Sequence, residues 1–466
     1  MEAINAKQLK MTTQPVKKLI LRLAGPTIAS MMISSLYNMA DTFFVGRIGT
    51  FATAGVGLIF PLMTIMQAFG FFFGQGSGNY VSRSLGANNQ EDAEKMAATG
   101  FFCALGMGAL ILGLGQLFAG PVLRVLGADT SKVAAETVGN ARAYYTTLLF
   151  GAPFVLASCV LNNQMRFQGN AFFSMIGLVS GAVLNIGLDP LFIFVFRMGV
   201  MGAAAATVVS QAFSFCVLYV GTLRSDSLKI RFRNLTPTGH YLGNIVAGGL
   251  PSLLRQGLGS VATLCLNAAA AAAVPLAQAD AAIASFSVVS RVMFFTFSAL
   301  LGFGQGFQPV CGYNWGARKF DRVREGYLFC IKVGIAALLF ISTCTFIFAE
   351  PIVSLFRDDP EVIRMGTIAM RCQSCSLPLM AVVASSNMLF QTTGKAVRAT
   401  ILAIARQGVT FVPCVLILPR IIDPAIWGVY LAQPIADAIS FLIAAPMVVH
   451  ILKRFKAAID DPALTP

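Results

Sequence analysis

The chain has 466 residues, 56% of them hydrophobic and only 12% charged, about half the charged fraction of roughly 25% found in soluble domains. Its length would accommodate about three soluble domains, but that composition excludes a soluble fold. The formal net charge of +14 comes from 34 Lys plus Arg against 20 Asp plus Glu; no long basic run accompanies it, and no nucleic-acid partner is expected.

In chain order, apolar stretches long enough to cross a hydrocarbon layer, about 20 residues each, lie at residues 19–43, 52–79, 96–118, 138–162, 172–196 and 201–222. They continue at 243–270, 279–310, 327–349, 366–390, 398–418 and 427–451, which makes twelve. The runs are continuous and lack the alternation of a barrel strand, which predicts helices. The expected fold class is therefore an all-α integral membrane protein. The first span follows a basic stretch but is too long for a signal peptide and lacks a small-residue cleavage site, so it is expected to stay in the mature protein.

Lys and Arg in short connections are retained on the cytoplasmic side. With the N-terminus inside, that face carries 21 of them, running from Lys7, Lys10, Lys17, Lys18 and Arg22 through Arg166 and Arg224 to Lys456. The opposite face carries seven: Arg47, Arg124, Lys132, Arg197, Arg357, Arg364 and Arg420. Both termini are expected in the cytoplasm. Of the ten cysteines, nine fall inside predicted spans and Cys311 lies one residue beyond one. Cys372 and Cys375 share C-x-x-C spacing, but with no His or second pair nearby they read as small buried hydrophobes rather than a redox or zinc site.

The second half of the chain repeats the first. Phe73-Gly74-Gln75-Gly76 is matched by Phe303-Gly304-Gln305-Gly306 (304 − 74 = 230), and Gly86-Ala87 by Gly316-Ala317 at the same offset. Gly202 aligns with Gly428 and Ser214-Phe215 with Ser440-Phe441 (428 − 202 = 226). Two six-helix halves are implied, 1–235 and 236–466, joined through the basic segment that starts at Arg224. Six helices per half keep both copies in one orientation, the arrangement of parallel-repeat transporters that hold substrate between their halves.

Three acids lie well inside predicted spans, Asp41, Asp189 and Asp437, with Asp280 at the very edge of another. A carboxylate at membrane depth costs several kcal/mol unless it meets a partner, water or an ion, so each is a functional candidate. Asp189 follows Asn185 by four residues, placing both on one helix face, and Pro190 has no N–H, which frees the Ile186 carbonyl beside them. Thr207 follows the small run Ala203 to Ala206, which allows close helix approach, and adds a hydroxyl. This oxygen-rich set suits a hard cation. Asp41 and Asp189 cannot both stay charged in a poorly hydrated site without a counter-ion, so the coupling ion is expected to be H+ or Na+, with sodium as the metal held at Asp41, Asn185, Asp189 and Thr207. Positions 225 residues after Asp41 and Asn185 are Leu266 and Thr410, so coupling is expected in the first half alone. No cofactor is expected.

Arg255 and Arg291 lie within second-half spans, where they are read as binding an anionic group or pairing with Asp437. With Asn38, Gln75 and Gln305, these three form the expected polar lining of a central substrate cavity. An enzyme is not expected, because the only histidines are His240 and His450, near the membrane edges, and no H-E-x-x-H, G-x-S-x-G or P-loop spacing occurs.

The segments Tyr37 to Phe43, Asn185 to Pro190, Gly202 to Thr207, Gly304 to Pro309 and Tyr313 to Ala317 resemble those of the multidrug and toxic compound extrusion transporters, in their DinF-like or MepA-like branch. The resemblance runs through essentially the whole chain. It implies two pseudo-symmetric six-helix bundles of the MOP superfamily in a bacterial cytoplasmic (inner) membrane. It further implies a proton- or sodium-coupled antiporter, acting as a monomer, that exports amphiphilic and often cationic small molecules by alternating access. It assigns an N-lobe cation site to Asp41, Asn185, Asp189 and Thr207, and adds Tyr144, next to Tyr145, on the fourth helix. Unlike the NorM-like branch, the seventh helix here carries Arg255 and no acid. A flippase or exporter of an anionic lipid-linked saccharide, or of a specific metabolite, is the alternative.

Overall fold

A computed structural model describes residues 2–130, 133–224 and 228–461, with the side chains of residues 2–5 and of Asn38 outside that description. Asn38, expected in the cavity lining, and Lys132, counted on the outer face, therefore lie outside the described residues. The described chain is helical, with no strand.

An N-terminal helix, α1 (Glu2–Thr13), ends before Pro15, and the long helix α2 (Val16–Gly46) starts immediately after it. The first half continues as α3 (Thr50–Gly86), α4 (Gln90–Leu117), the short α5 (Ala119–Val125), α6 (Ala135–Leu149), α7 (Ala152–Phe167), α8 (Ala171–Pro190) and α9 (Gly199–Arg224). The second half comprises α10 (Gly239–Ala272), α11 (Ala279–Gly316), α12 (Phe320–Ile347), the short α13 (Ala349–Ser354), α14 (Pro360–Thr392), α15 (Ala396–Ile404), α16 (Phe411–Ile421) and α17 (Ala425–Asp460). Two wide π turns interrupt the rods. Leu191–Val195 extends α8 just past Pro190, and Ala405–Thr410 joins α15 to α16.

Ten helical stretches among the described residues are long and apolar enough to cross a membrane. The pair α6 and α7, bent by 52°, makes an eleventh. The bend falls where Gly151 and Pro153 interrupt the ladder of hydrogen bonds, because Pro contributes no N–H. The remaining expected span, residues 243–270, is α10, which at 34 residues is long enough but less apolar, since His240, Asn244, Arg255 and Gln256 punctuate it. The chain is a multi-pass membrane protein. Its outer faces carry large hydrophobes such as Leu117, Phe172, Phe340 and Leu442, while Gly, Ala, Ser and amide side chains concentrate inside. Small residues let helix backbones approach closely where lipid supplies no hydrophobic contrast.

The halves meet where α2 packs on α11 and α3 packs on α10, with α3 and α11 crossing each other. At that crossing Gly86 leaves no room for a Cβ, which would fall on the Tyr313 carbonyl, and Gly316 leaves none against the Arg83 carbonyl. The two contacts are reciprocal at the repeat offset of 230. A second matched pair lies inside the halves. Asn162 Nδ2 donates to the Ser174 carbonyl at 2.9 Å, and Asn387 Nδ2 to the Ala399 carbonyl at 2.6 Å, each spanning 12 residues.

Hydrogen bonds between the sequence halves gather toward one end. Arg83 Nη1 donates to the Thr392 carbonyl at 2.8 Å, Thr392 Oγ1 to Asn79 Oδ1 at 2.8 Å, and Gln308 Nε2 to Gln75 Oε1 at 3.3 Å. Asn314 Nδ2 reaches the Met11 carbonyl at 3.1 Å and Lys319 Nζ the Thr12 carbonyl at 2.9 Å. Among the described residues, none of these bonds involves residues 50–74 of α3 or 279–301 of α11. The halves are thus tied at the end that carries α1.

Replacing Gly86 or Gly316 with Val should force the α3–α11 crossing apart at a cost of about 1–3 kcal/mol each, the usual range for overpacking a close contact. Thermal unfolding in detergent would report this as a lower Tm for both variants. An unchanged Tm in both would show that the crossing is not tightly packed.

Candidate cation and substrate sites

The first site lies where α2, α6, α8 and α9 converge. Tyr37 and Asp41 are four residues apart on α2, and Asn185 and Asp189 are four apart on α8, so each pair shares a helix face. α8 and α9 come close because Gly177 and Gly181 lie against Leu218 and Ser214, and Gly202 against the Phe192 backbone. Pro190 ends the regular helix just beyond Asp189, and the π turn that follows widens the backbone there.

Asp189 is fully buried, Asn185 and Thr207 almost so, and Asp41 partly exposed. With the Asn185 amide oriented to satisfy its neighbours, Nδ2 donates to Asp189 Oδ2 at 3.0 Å and Oδ1 accepts from the Thr207 backbone N–H at 3.2 Å. Tyr37 shares a side-chain hydrogen bond with Thr207 and interacts electrostatically with both acids. Asp41 and Asp189 also interact with each other. One oxygen of each, Asp41 Oδ1 and Asp189 Oδ1, is buried with no hydrogen-bond partner. Ser210, one turn beyond Thr207, has a buried hydroxyl in the same condition.

The adjacent tyrosines of α6 separate clearly. Tyr144 interacts with Asp41, Asp189 and Tyr37, whereas the Tyr145 hydroxyl donates to the Gly115 carbonyl at 2.9 Å. The structure therefore brings Asp41, Asn185, Asp189, Thr207 and Tyr144 together, and adds Tyr37. That residue was legible in its four-residue spacing from Asp41 but was not singled out from sequence. Among the described residues no group of three or more His, Cys, Asp or Glu is placed to hold a metal. The cluster is two carboxylates with neutral amide and hydroxyl oxygens, a donor set fit for a proton or a hard monovalent cation.

Gln75 and Gln305 occupy a different setting from the open cavity lining expected of them. Both are buried. Gln75 Nε2 donates to Asn163 Oδ1 at 3.3 Å, and Gln305 Oε1 accepts from Arg166 Nη1. Arg166, counted in sequence among the basic residues of a cytoplasmic segment, is 1% exposed near the end of α7, with Nη2 donating to Asn163 Oδ1 at 2.6 Å. Its position corrects that reading: the residue reaches across to α11 instead of lying in a loop. These amides and the guanidinium belong to the ties between the halves.

In the second half Asp437 pairs with neither Arg255 nor Arg291. Its Oδ1 accepts from Arg406 Nε at 3.1 Å and from Gln433 Nε2 at 2.8 Å, and its Oδ2 accepts from Ser376 Oγ at 2.9 Å. Arg406 stands in the π turn between α15 and α16 with its guanidinium 4.5 Å from the centre of the Phe297 ring. No local pattern announces this pair, because 31 residues separate its members. Arg291 is exposed on α11. Arg255 instead lines a small cavity, about 30 Å³, between α10, α11, α14 and α15. All ten cysteines are free thiols.

The MatE family model matches this chain twice, over residues 26–191 and 258–416. The chain belongs to the MatE family, whose members are transporters and not enzymes. It is 27% identical over 435 residues to the multidrug export protein MepA of Staphylococcus haemolyticus, covering 91% of this chain and 92% of that protein. It is 26% identical over 456 residues to MepA of Staphylococcus aureus, covering 97% of each. Its fold matches the outward-facing conformation of a multidrug resistance MATE family transporter of the MOP superfamily, with a TM-score of 0.88 and 27% identity over 96% of this chain and 98% of that one.

Substituting Arg406 with Leu would leave Asp437 charged and without its cation, a change that costs about 3 kcal/mol or more where the pair is buried. The Arg406→Leu protein should unfold at a clearly lower temperature, and Arg406→Leu with Asp437→Leu should recover most of the loss. Equal destabilisation of the single and double variants would show that the pairing itself contributes little.

Proposed function

We propose that this chain is a multidrug efflux antiporter of the bacterial cytoplasmic membrane, exporting amphiphilic, often cationic compounds in exchange for H+ or Na+ by alternating access. The observation that carries this reading is the pair of buried carboxylate oxygens without partners, Asp41 Oδ1 and Asp189 Oδ1, on facing helices of one half. Two such groups are stable together only when a proton or metal cation joins them. Uptake of that ion changes the charge at the contact of α2 with α8, and thus favours one arrangement of the bundle over another. A bound ion shifts the inward- and outward-open populations only by its differential affinity for them, and the geometry of Asp41, Asn185, Asp189 and Thr207 is where that difference arises.

The bonds tying the halves at the α1 end support alternating access. With both termini in the cytoplasm, as the bias of Lys and Arg indicates, that end is the cytoplasmic gate and the opposite end is free to open outward. The lobes 1–235 and 236–466 then act as the moving bodies, within a single monomer. Tyr37 and Tyr144 orient the ion site, and the names of the staphylococcal relatives support multidrug export as the task.

Reconstitution into liposomes with an imposed pH or sodium gradient, following a fluorescent lipophilic cation such as ethidium, tests this proposal. Asp41→Asn and Asp189→Asn should each reduce gradient-driven movement to the leak of protein-free liposomes while the purified variants keep near-native Tm. Efflux that ignores both gradients, or that survives both substitutions, would remove the two acids from the mechanism.

A further inference from the structure

The turn from α14 into α15 and the final turns of α17 gather five basic side chains, Lys395, Arg398, His450, Lys453 and Arg454. Lys395 precedes α15 and Arg398 stands in its first turn, at the positive end of the helix dipole, where acids are favoured over cations. α15 packs beside α17, which supplies the other three. Arg398 and Arg454 act electrostatically on Lys395, and Arg398, Arg454, Lys395 and Lys453 on His450, with no carboxylate among the groups acting on either. Among the described residues, Arg398, Lys453 and Arg454 form no ion pair. Burial and these neighbours lower the Lys395 ammonium to about 8. The Arg398 guanidinium lies 5.9 Å from the centre of the Phe390 ring, but its Nη1 is buried with no hydrogen-bond partner. Its charge must therefore be balanced on the part-exposed remainder of the side chain. Such a gathering of like charge is costly unless an anion from outside joins it.

The internal repeat shows that the turn itself does not need these charges. Gly394 and Gly169 (394 − 169 = 225) share the left-handed conformation, with φ of 77° and 81°. The residues that match Lys395 and Arg398 are Asn170 and Phe173, and Asn170 Oδ1 accepts from Lys7 Nζ at 2.6 Å. The first half thus builds the same turn with neutral side chains. The basic set also stands above apolar surface. Val397 and Val449 are exposed at its level, and Ile401 and Leu442 are exposed farther into the bilayer on α15 and α17. Lys395 Nζ lies 5.8 Å from the centre of the Trp315 ring, which places the set at the α1 end of the bundle. A strip of exposed hydrophobes capped by cations is complementary to the two parts of a phospholipid, acyl chain and phosphate.

We propose that the start of α15 and the end of α17 form a binding site for an anionic phospholipid of the leaflet at the α1 end. Arg398 and Arg454 hold its phosphate, with the charge-assisted hydrogen bonds that suit a guanidinium, and the N-terminus of α15 adds its dipole. Lys395, His450 and Lys453 complete the positive field, and an acyl chain lies along Ile401 and Leu442. A headgroup with net negative charge is favoured over a zwitterionic one, because the site offers no carboxylate to meet a choline or ethanolamine. The loop that carries Lys395 is the one whose Thr392 carbonyl accepts from Arg83 of the other half, so the lipid is seated beside a tie between the halves. This binding does not rest on the efflux reading.

The test compares phosphatidylglycerol with phosphatidylcholine of the same acyl chains, each titrated onto the purified full-length protein and counted by native mass spectrometry. The wild type should bind one phosphatidylglycerol about tenfold more tightly than phosphatidylcholine. Lys453→Gln with Arg454→Gln, both exposed, should weaken phosphatidylglycerol about tenfold or more, the scale expected for two basic residues at an anionic headgroup. Arg398→Gln should weaken it similarly, and Arg398→Lys should keep part of the affinity; if the Arg398 variants do not fold, the exposed pair decides. Lys17→Gln with Lys18→Gln removes as much exposed charge from α2 and should change Kd less than about twofold. Equal losses for the two double variants, or equal binding of the two lipids by the wild type, would overturn the site. Displacement of the lipid by glycerol 1-phosphate at similar concentration would overturn the lipid assignment in favour of a soluble phosphate ester.

Discussion

Desolvation of charge governs this protein. In a bundle wrapped by lipid, each ionised side chain must find a counter-charge, a set of polar oxygens or nitrogens, or a mobile ion. Asp437 takes the first course, surrounded by Arg406, Gln433 and Ser376. Arg166 takes the second, donating to the amide oxygens of Asn163 and Gln305. Asp41 and Asp189 each retain one buried oxygen without a hydrogen-bond partner, and in the function proposed above a mobile ion fills that place. The division of labour between structural and functional charges follows from which partners packing brings within reach.

The same constraint shapes the interface between the halves. Polar side chains there cannot be hydrated by lipid, and at the α1 end they satisfy one another across the gap: Gln308 with Gln75, Thr392 with Asn79, Arg83 with the Thr392 carbonyl. Such bonds are individually modest in net terms, about 1 kcal/mol each, and can therefore be exchanged during a conformational cycle. Close approach of α3 and α11 at Gly86 and Gly316 keeps the polar groups in register. Among the described residues the opposite end lacks these ties, which makes the bundle mechanically asymmetric along its length.

The halves are alike in backbone and unlike in charge. The reciprocal glycine contacts and the matched asparagine bonds preserve the repeat, while the acids Asp41 and Asp189 have no equivalents in the second half, where Arg255 and Arg406 share a cavity instead. A duplicated fold can diverge in this way because the small residues that set helix approach are separate from the few polar positions that set chemistry.

Hydrophobic runs, the Lys and Arg bias and the internal repeat follow from local composition, and they are legible in the sequence because a membrane span must be a nearly uninterrupted apolar helix. The four-residue spacing of Asn185 and Asp189 was legible for the same reason, since one helix turn places them together. Packing between distant segments alone decided that Tyr144 and not Tyr145 faces the acids, that Arg166 is buried against Gln305, and that Asp437 belongs to Arg406 rather than Arg255. Those outcomes depend on how helices tilt, bend and rotate against one another, through the break between α6 and α7 and the π turn that carries Arg406. No periodicity along the chain encodes such rotations.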